Sequence, residues 1–277
     1  MEILVMLFYS RKKWIVWWPM KLSKRLQYIM EQIPVGSTFA DIGSDHAMLP
    51  VAAIKSGKAL SAVAGEVNPG PRDAAAKQVA TAGLGGKISV RLGDGLNVIS
   101  PGEVDVITIA GMGGGLISTI LEQGVDKLEG VKKLILQPNV GEELVRRWLL
   151  DRHWVLTSEH IMEEDRKVYE ILTAVPGNSG TVTFSNEDVY KEYYLDSSSH
   201  GEVKVTKEMS IRMGPWLLQE RNSIFTSKWL SEIDKLERIL KSLATSTLSS
   251  AETKSEEIAQ EIQQTKEVLS CSPKDRQ

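Results

Sequence analysis

Between residues 38 and 150, segments with strand character alternate one for one with segments of helical character, which restricts this part of the chain to a parallel sheet. Apolar, β-rich runs at 38–42, 60–66, 87–92, 104–109 and 133–137 read as strands. Stretches at 47–55 and 72–82, one running through Leu121, and one at 142–150 read as helices. A strand that returns through a crossover helix must lie parallel to its predecessor, with helices on both faces. The expected architecture is an open, doubly wound α/β sheet whose ligands sit at the carboxyl ends of its strands.

Residues 21–33 precede this pattern as an amphipathic helix. Leu22, Leu26, Ile29, Met30 and Ile33 fall at three-and-four spacing, Pro34 and Gly36 close the segment, and Lys21, Lys24 and Arg25 occupy the other face. After the fifth helix the rule changes. Segments 154–161 and 168–175 read as strands separated by only a short charged stretch, too short for a crossover helix, so they must pair antiparallel. A seven-stranded, mostly parallel sheet with a terminal antiparallel hairpin is the usual arrangement of class I, Rossmann-like methyltransferases. Dinucleotide-binding folds more often end in a parallel sixth strand.

Beyond Pro176 a polar connector, 177–201, leads to a helical tail. Trp229, Ile233, Leu236, Leu240 and Leu243 follow heptad spacing, as do Ile258, Ile262, Thr265 and Leu269, and this predicts an antiparallel helical hairpin or short coiled coil. Such a tail is either a packing arm or an RNA-contacting one. The chain thus divides into an atypical extension at 1–20, an α/β domain at 21–177, and a connector with a helical domain at 178–277.

The 277 residues carry a net charge of −3, with 42% hydrophobic and 25% charged residues, and this balance excludes neither small-molecule nor nucleic-acid ligands. Cys271 is the single cysteine, so an internal disulfide and a cysteine-based zinc site are ruled out, no metal is expected, and a reducing cytoplasm is the expected compartment. The first twenty residues hold two short apolar pieces around Arg11, Lys12 and Lys13. Neither approaches the roughly 20 residues that span a bilayer, and no signal-peptide cleavage pattern follows. The segment fits an upstream start ahead of Met20, or an interfacial or RNA-facing extension rich in Trp and basic residues. No membrane association is expected, and the reading requires no oligomer.

Chemistry begins at Asp41-Ile-Gly-Ser-Asp-His46, directly after the first strand. Gly43 permits a tight turn and close approach to a ligand, while Asp41 and Asp45 set carboxylates beside a cationic amino-acid moiety. A pyrophosphate would be repelled there, and G-x-G-x-x-G is absent, which counts against nicotinamide and flavin cofactors. Glu66 ends the second strand 23 positions after Gly43, where a carboxylate can accept both hydroxyls of a ribose. The turn Gly93-Asp94-Gly95 offers a carboxylate to an exocyclic amine. Four glycines within 111–115, after Ala110 and around Met112, remove side chains where flat ligands would meet, and Gln137-Pro138-Asn139 offers amides able to read a base edge.

Together DIGSDHAMLP, AGEVNPGP, GDGL, IAGMGG, LQPN and EEDRKVYEI resemble the bacterial tRNA (adenine(22)-N1)-methyltransferase family, over the chain from Lys21 onward. The resemblance implies a class I fold, S-adenosylmethionine as cofactor, tRNA as substrate and methylation of N1 of a D-arm adenine. It implies that Asp41, Gly43, Ser44, Asp45 and His46 line the methionine end, that Glu66 holds the ribose with Val67 also in the cofactor set, and that Asp94 and Gly95 hold the adenine. Ala110 to Gly114 and Gln137 to Asn139 face the target base, with Ala110 and Gly111 also in the cofactor set and Met112, Gly113, Gln137, Pro138 and Asn139 the catalytic candidates. Two departures stand out: Met48 where the family tends to carry Tyr, and Arg166 where it usually carries Gly.

Adenine N1 has its own lone pair, so the transfer needs positioning more than deprotonation. His46 accordingly reads as a wall of the cofactor site rather than a general base. Lys21, Lys24, Arg25, Arg72 and Lys167, with Arg166, are the expected RNA contacts. The alternative reading is a catalytically silent RNA-binding or scaffold protein on the same fold; a nicotinamide-dependent oxidoreductase is disfavoured.

Overall fold

The computed structural model describes residues 22–197, 201–244 and 250–271; Lys21 and the extension at 1–20 lie outside them. The first helix, α1 (Lys24–Gln32), starts at Ser23, whose hydroxyl accepts from the Leu26 N–H. Then follow β1 (Ser37–Ile42), α2 (Met48–Lys55), β2 (Ala59–Glu66), α3 (Pro69–Thr81), β3 (Ile88–Leu92), β4 (Val106–Met112), α4 (Gly114–Gln123), β5 (Lys133–Pro138) and α5 (Glu142–Asp151). The terminal hairpin is β6 (Trp154–Glu164) and β7 (Lys167–Pro176). The seven strands run in the order β3-β2-β1-β4-β5-β7-β6. Strands β1 to β5 pair parallel, while β7 is antiparallel to both β5 and β6. Strand order reverses between β1 and β4, so the crevice above their carboxyl ends is the natural ligand site.

The central strands are buried on both faces, and their alternation sorts side chains into two cores. Ile107, Ile109, Leu134 and Leu136 pack with α4 and α5, while Phe39, Ala62, Val106 and Ile135 pack with α1, α2 and α3. The same alternation puts Asp41, Thr108 and Gln137 on the side of α1, at the upper end of that second core. Polar groups in this position need partners that an apolar core does not supply, and here they find them in one another and in the loops above.

The connector is more structured than its polarity predicts. Residues 177–201 contain the short helix α6 (Asn186–Val189) and the strand β8 (Tyr193–Ser197), which pairs antiparallel with β9 (Gly201–Val205). Among the described side chains of this ribbon, only Leu195, Val203 and Val205 are buried, so its period-two signal is short and half polar. Then come α7 (Lys207–Met213), α8 (Pro215–Glu220), α9 (Ser223–Leu243) and α10 (Ser250–Leu269). The last two form the expected helical hairpin, with Ile233, Ile258 and Ile262 packed together beside Leu236, Leu240, Leu243 and Leu269. No helix among the described residues is long and apolar enough to cross a membrane.

Candidate active site at the carboxyl edge of the sheet

Asp41 anchors the first loop from below. It is buried, and its two carboxylate oxygens accept from the hydroxyls of Thr108 and Ser44, each at 2.6 Å. Burial pushes its pKa up to about 6, against those two hydroxyls and the positive charge of Arg25. Thr108 faces Asp41 directly across the β1–β4 ladder. The sequence reading missed it because a threonine inside an apolar strand looks like an ordinary β-former. Above Asp41, the N–H groups of Gly43 and Ser44 both donate to the Gly65 carbonyl. Asp45, His46 and Ala47 then adopt left-handed backbone conformations, with φ of 36°, 61° and 54°. Each costs roughly 1–2 kcal/mol outside glycine, and three in succession mark a loop held in place by its surroundings. The turn leaves Asp45 and His46 on the surface, with Nε2 of the histidine 3.6 Å from the aspartate.

At the end of β2, Glu66 is buried, yet its Oε1 has no hydrogen-bond partner. Burial raises its pKa, while the N–H groups of Asp45 and Ser44 oppose that rise. An orphaned carboxylate oxygen costs folding energy, which marks Glu66 as a candidate for a partner from outside the polypeptide. Val67, the next residue, is exposed, and the Gly93 N–H donates to the Glu66 carbonyl, drawing the β3 turn alongside. Asp94 lies exposed in that turn, immediately before a single 3-10 turn at Gly95–Val98.

The glycine cluster has a more specific explanation than open space. Gly111, with φ of +80°, forms a bulge at which the β4–β5 register slips between Ala110 and Met112. Gly114 is required for the protein's own packing: a Cβ there would collide with the Gly141 carbonyl, where the β4 and β5 loops meet backbone to backbone. Gly113 and Gly115, by contrast, face open space or ordinary contact.

Gln137 lies at the centre of this junction and is completely buried. Its Oε1 accepts from a guanidinium nitrogen of Arg25 and from the Gly111 N–H at 3.1 Å. Its Nε2 donates to the Pro138 carbonyl at 2.7 Å and to Asn139 Oδ1 at 3.1 Å. Asn139, itself exposed, donates from Nδ2 to the Gly111 carbonyl at 2.8 Å and from its backbone to the Met112 carbonyl at 2.7 Å.

Of the expected RNA contacts, Lys24 and Lys167 are exposed, and Arg72 sits in the first turn of α3 with Nε 3.2 Å from Asp73. Glu164, at the tip of the β6–β7 hairpin, accepts from the backbone N–H groups of Lys24 and Arg25, which brings the hairpin cations next to those of α1. Arg25 differs from the others. It is half-buried and turned onto Gln137, with its guanidinium 5.2 Å from the centre of the Tyr169 ring. A separate cavity of about 250 Å³ near Thr38, Ser61, Lys87 and Glu103 lies toward the amino ends of β1 and β3, away from all these groups.

The sequence model of the family described as tRNA (adenine(22)-N(1))-methyltransferase matches residues 39–200 and 185–267. This chain belongs to that family, TrmK. A curated member from Bacillus subtilis is 42% identical over 251 residues, covering 90% of this chain and 98% of the relative. The crystal structure of the B. subtilis M1A22 tRNA methyltransferase TrmK superposes with a TM-score of 0.80 at 41% identity, over 90% of this chain and 99% of that one. A Streptococcus pneumoniae structure, described as a putative tRNA (m1A22) methyltransferase in complex with S-adenosyl-L-methionine, gives 0.72 at 37% identity, over 90% and 100%. The class I fold and its terminal hairpin therefore stand on both topology and relatives.

Proposed function

We infer that this protein transfers a methyl group from S-adenosyl-L-methionine to N1 of adenine 22 in tRNA. The observation that carries this reading is the buried Glu66, with an unpartnered oxygen at the switch-point edge, in a chain of the TrmK family. The residues fit the cofactor. Glu66 has the acceptor that ribose hydroxyls need, and at Gly43 a Cβ would be driven against the Met112 side chain, closing the gap between the first and fourth loops. When bound, the cofactor supplies a methyl group on a positively charged sulfur.

The rest of the work falls to this chain. Asp41 and Asp45 surround the cationic end of the cofactor with negative charge, Ser44 and His46 line it, and Glu66 and Val67 hold its ribose. Asp94 and Gly95 accept its adenine, with Ala110 and Gly111 below. Met112, Gly113 and Asn139 face the target base, with the buried Gln137 and Pro138 supporting them from beneath, and the Asn139 amide suits the exocyclic amine and ring nitrogens of an adenine. Because N1 attacks with its own lone pair, no residue need remove a proton first; the site has to extract the base and align it with the methyl carbon. Lys24, Arg72, Lys167 and Arg166 supply phosphate contacts. Residues 21–177 carry the chemistry and 178–277 form the arm; neither a metal nor a second copy enters the mechanism, and the cytoplasm is its setting.

The test is methyl transfer from labelled cofactor to unmodified tRNA transcripts that differ only at nucleotide 22, with nucleoside analysis of the product. The expected result is 1-methyladenosine in the adenine transcript alone. Cofactor binding without transfer to either transcript would instead favour a silent RNA-binding protein. In the same preparation, Glu66→Ala should weaken cofactor binding by about 2 kcal/mol, the scale of a lost hydrogen bond to a charged group, while leaving the fold intact. Unchanged affinity by calorimetry would remove Glu66 from the ribose site.

A further inference from the structure

We propose that Arg25 is a positioning residue, which acts through Gln137 to fix the orientation of the Asn139 amide beside the target base. The proposal rests on the methyltransferase reading and adds a role to it. Gln137 is buried with its amide fully used: two donors converge on Oε1, and two acceptors receive Nε2. Reversing this amide would point its NH2 group at a guanidinium and a backbone N–H, leaving donors against donors. The charged donor is the stronger of the two that hold Oε1 in place. Because Nε2 of Gln137 is thereby directed at Asn139, the asparagine must present Oδ1 to it and turn Nδ2 toward the Gly111 carbonyl. One cation on α1 thus determines which atom of Asn139 lies on which side, at a residue that is itself exposed at the site.

Arg25 is prepared for this role from two directions. Glu164 holds the first turn of its helix by accepting from the N–H groups of residues 24 and 25, and the Tyr169 ring lies under its guanidinium. Both supports come from the β6–β7 hairpin, so hairpin and helix together aim the side chain at the strand ends. A free phosphate ligand would need none of these contacts.

The experiment measures steady-state methyl transfer to the adenine-22 transcript by the full chain and by Arg25→Met, Arg25→Lys, Gln137→Met and the Arg25→Met/Gln137→Met double variant. Cofactor affinity and the salt dependence of tRNA binding are measured alongside. Arg25→Met is expected to lower kcat by about 10- to 100-fold at saturating tRNA, with cofactor affinity and salt slope unchanged. Lysine, which keeps one charged donor, should recover part of that loss. The double variant should be no worse than Gln137→Met alone, because both substitutions break one relay. A higher KM at unchanged kcat, with a salt slope shallower by about one, would make Arg25 a phosphate contact and overturn the proposal. Additive losses in the double variant would overturn it as well. If Arg25→Met does not fold, the comparison of Arg25→Lys with Gln137→Met carries the test, and full activity in Gln137→Met is the overturning result. Absence of transfer by the unmodified protein would overturn the methyltransferase reading and this role with it, whereas an active parent with unaffected variants overturns this role alone.

Discussion

Asp41 shows how a residue chosen for a site burdens the fold that holds it. Its folded-state pKa of about 6 lies above the ordinary 3.8, so the folded protein binds this proton more tightly than the unfolded chain does. Its contribution to stability is therefore complete below about pH 4 and is lost as pH rises through 6, a difference of about 3 kcal/mol. Asp41→Asn keeps the shape and removes the titration. Thermal unfolding should show the variant more stable than its parent at pH 8, by up to that amount, with the advantage vanishing toward pH 4, while cofactor affinity falls. Parallel stability curves across that range would return Asp41 to an ordinary carboxylate. The first loop was legible in sequence because its acids and glycine stand together in DIGSDH. Thr108 was not, and although Gln137 was singled out, its contact with Arg25 was not: the partners lie 67 and 112 residues away, and only the fold brings them together.

At the scale of elements, the parallel sheet could be read from the sequence because each βα unit repeats a strong local pattern, whereas β8 and β9 could not because so few of their residues are buried. The β6–β7 hairpin was readable as a pair, but its turn carries an unexpected cost. Glu164 pairs with Lys167, so the loop has two residues, and Asp165 and Arg166 both adopt left-handed φ values, 51° and 61°. This is the turn geometry that favours glycine at the second position. Arg166→Gly should therefore stabilise the protein by about 1 kcal/mol in denaturant unfolding, even though it removes a surface side chain. If the same variant also weakens tRNA binding and flattens its salt dependence, the strain is retained for a phosphate contact. Unchanged stability would mean that the turn relaxes without penalty.

Across the whole molecule, the tail is joined to the catalytic domain by buried charge. Arg146 of α5 is fully buried and donates to Glu159 of β6 at 2.6 Å, to Glu170 of β7 at 2.5 Å, and to the carbonyls of Ile211 and Arg212 in α7. Lys228 of α9 reaches Glu170 at 2.6 Å and Glu142 at 2.7 Å, while Glu159 also accepts from the Trp216 N–H of α8. Burial works against the Arg146 guanidinium, but Glu159 and Glu170 more than offset it and raise its pKa. Every partner crosses between α5, the hairpin and the tail, and the hairpin is also what orients α1 at the site. The charge of α10, five acids against two bases, makes that helix a poor phosphate ligand and favours a packing role for it. Arg146→Met should accordingly cost about 3–5 kcal/mol, because it leaves the buried Glu159 without a counter-charge and Glu170 with Lys228 alone. Loss should register together in the hydrogen-exchange protection of tail and domain amides, as one transition at lower denaturant. Two separated transitions, with the domain's midpoint unmoved, would show instead that the tail is an independently folding arm and that the buried charges serve its own stability alone.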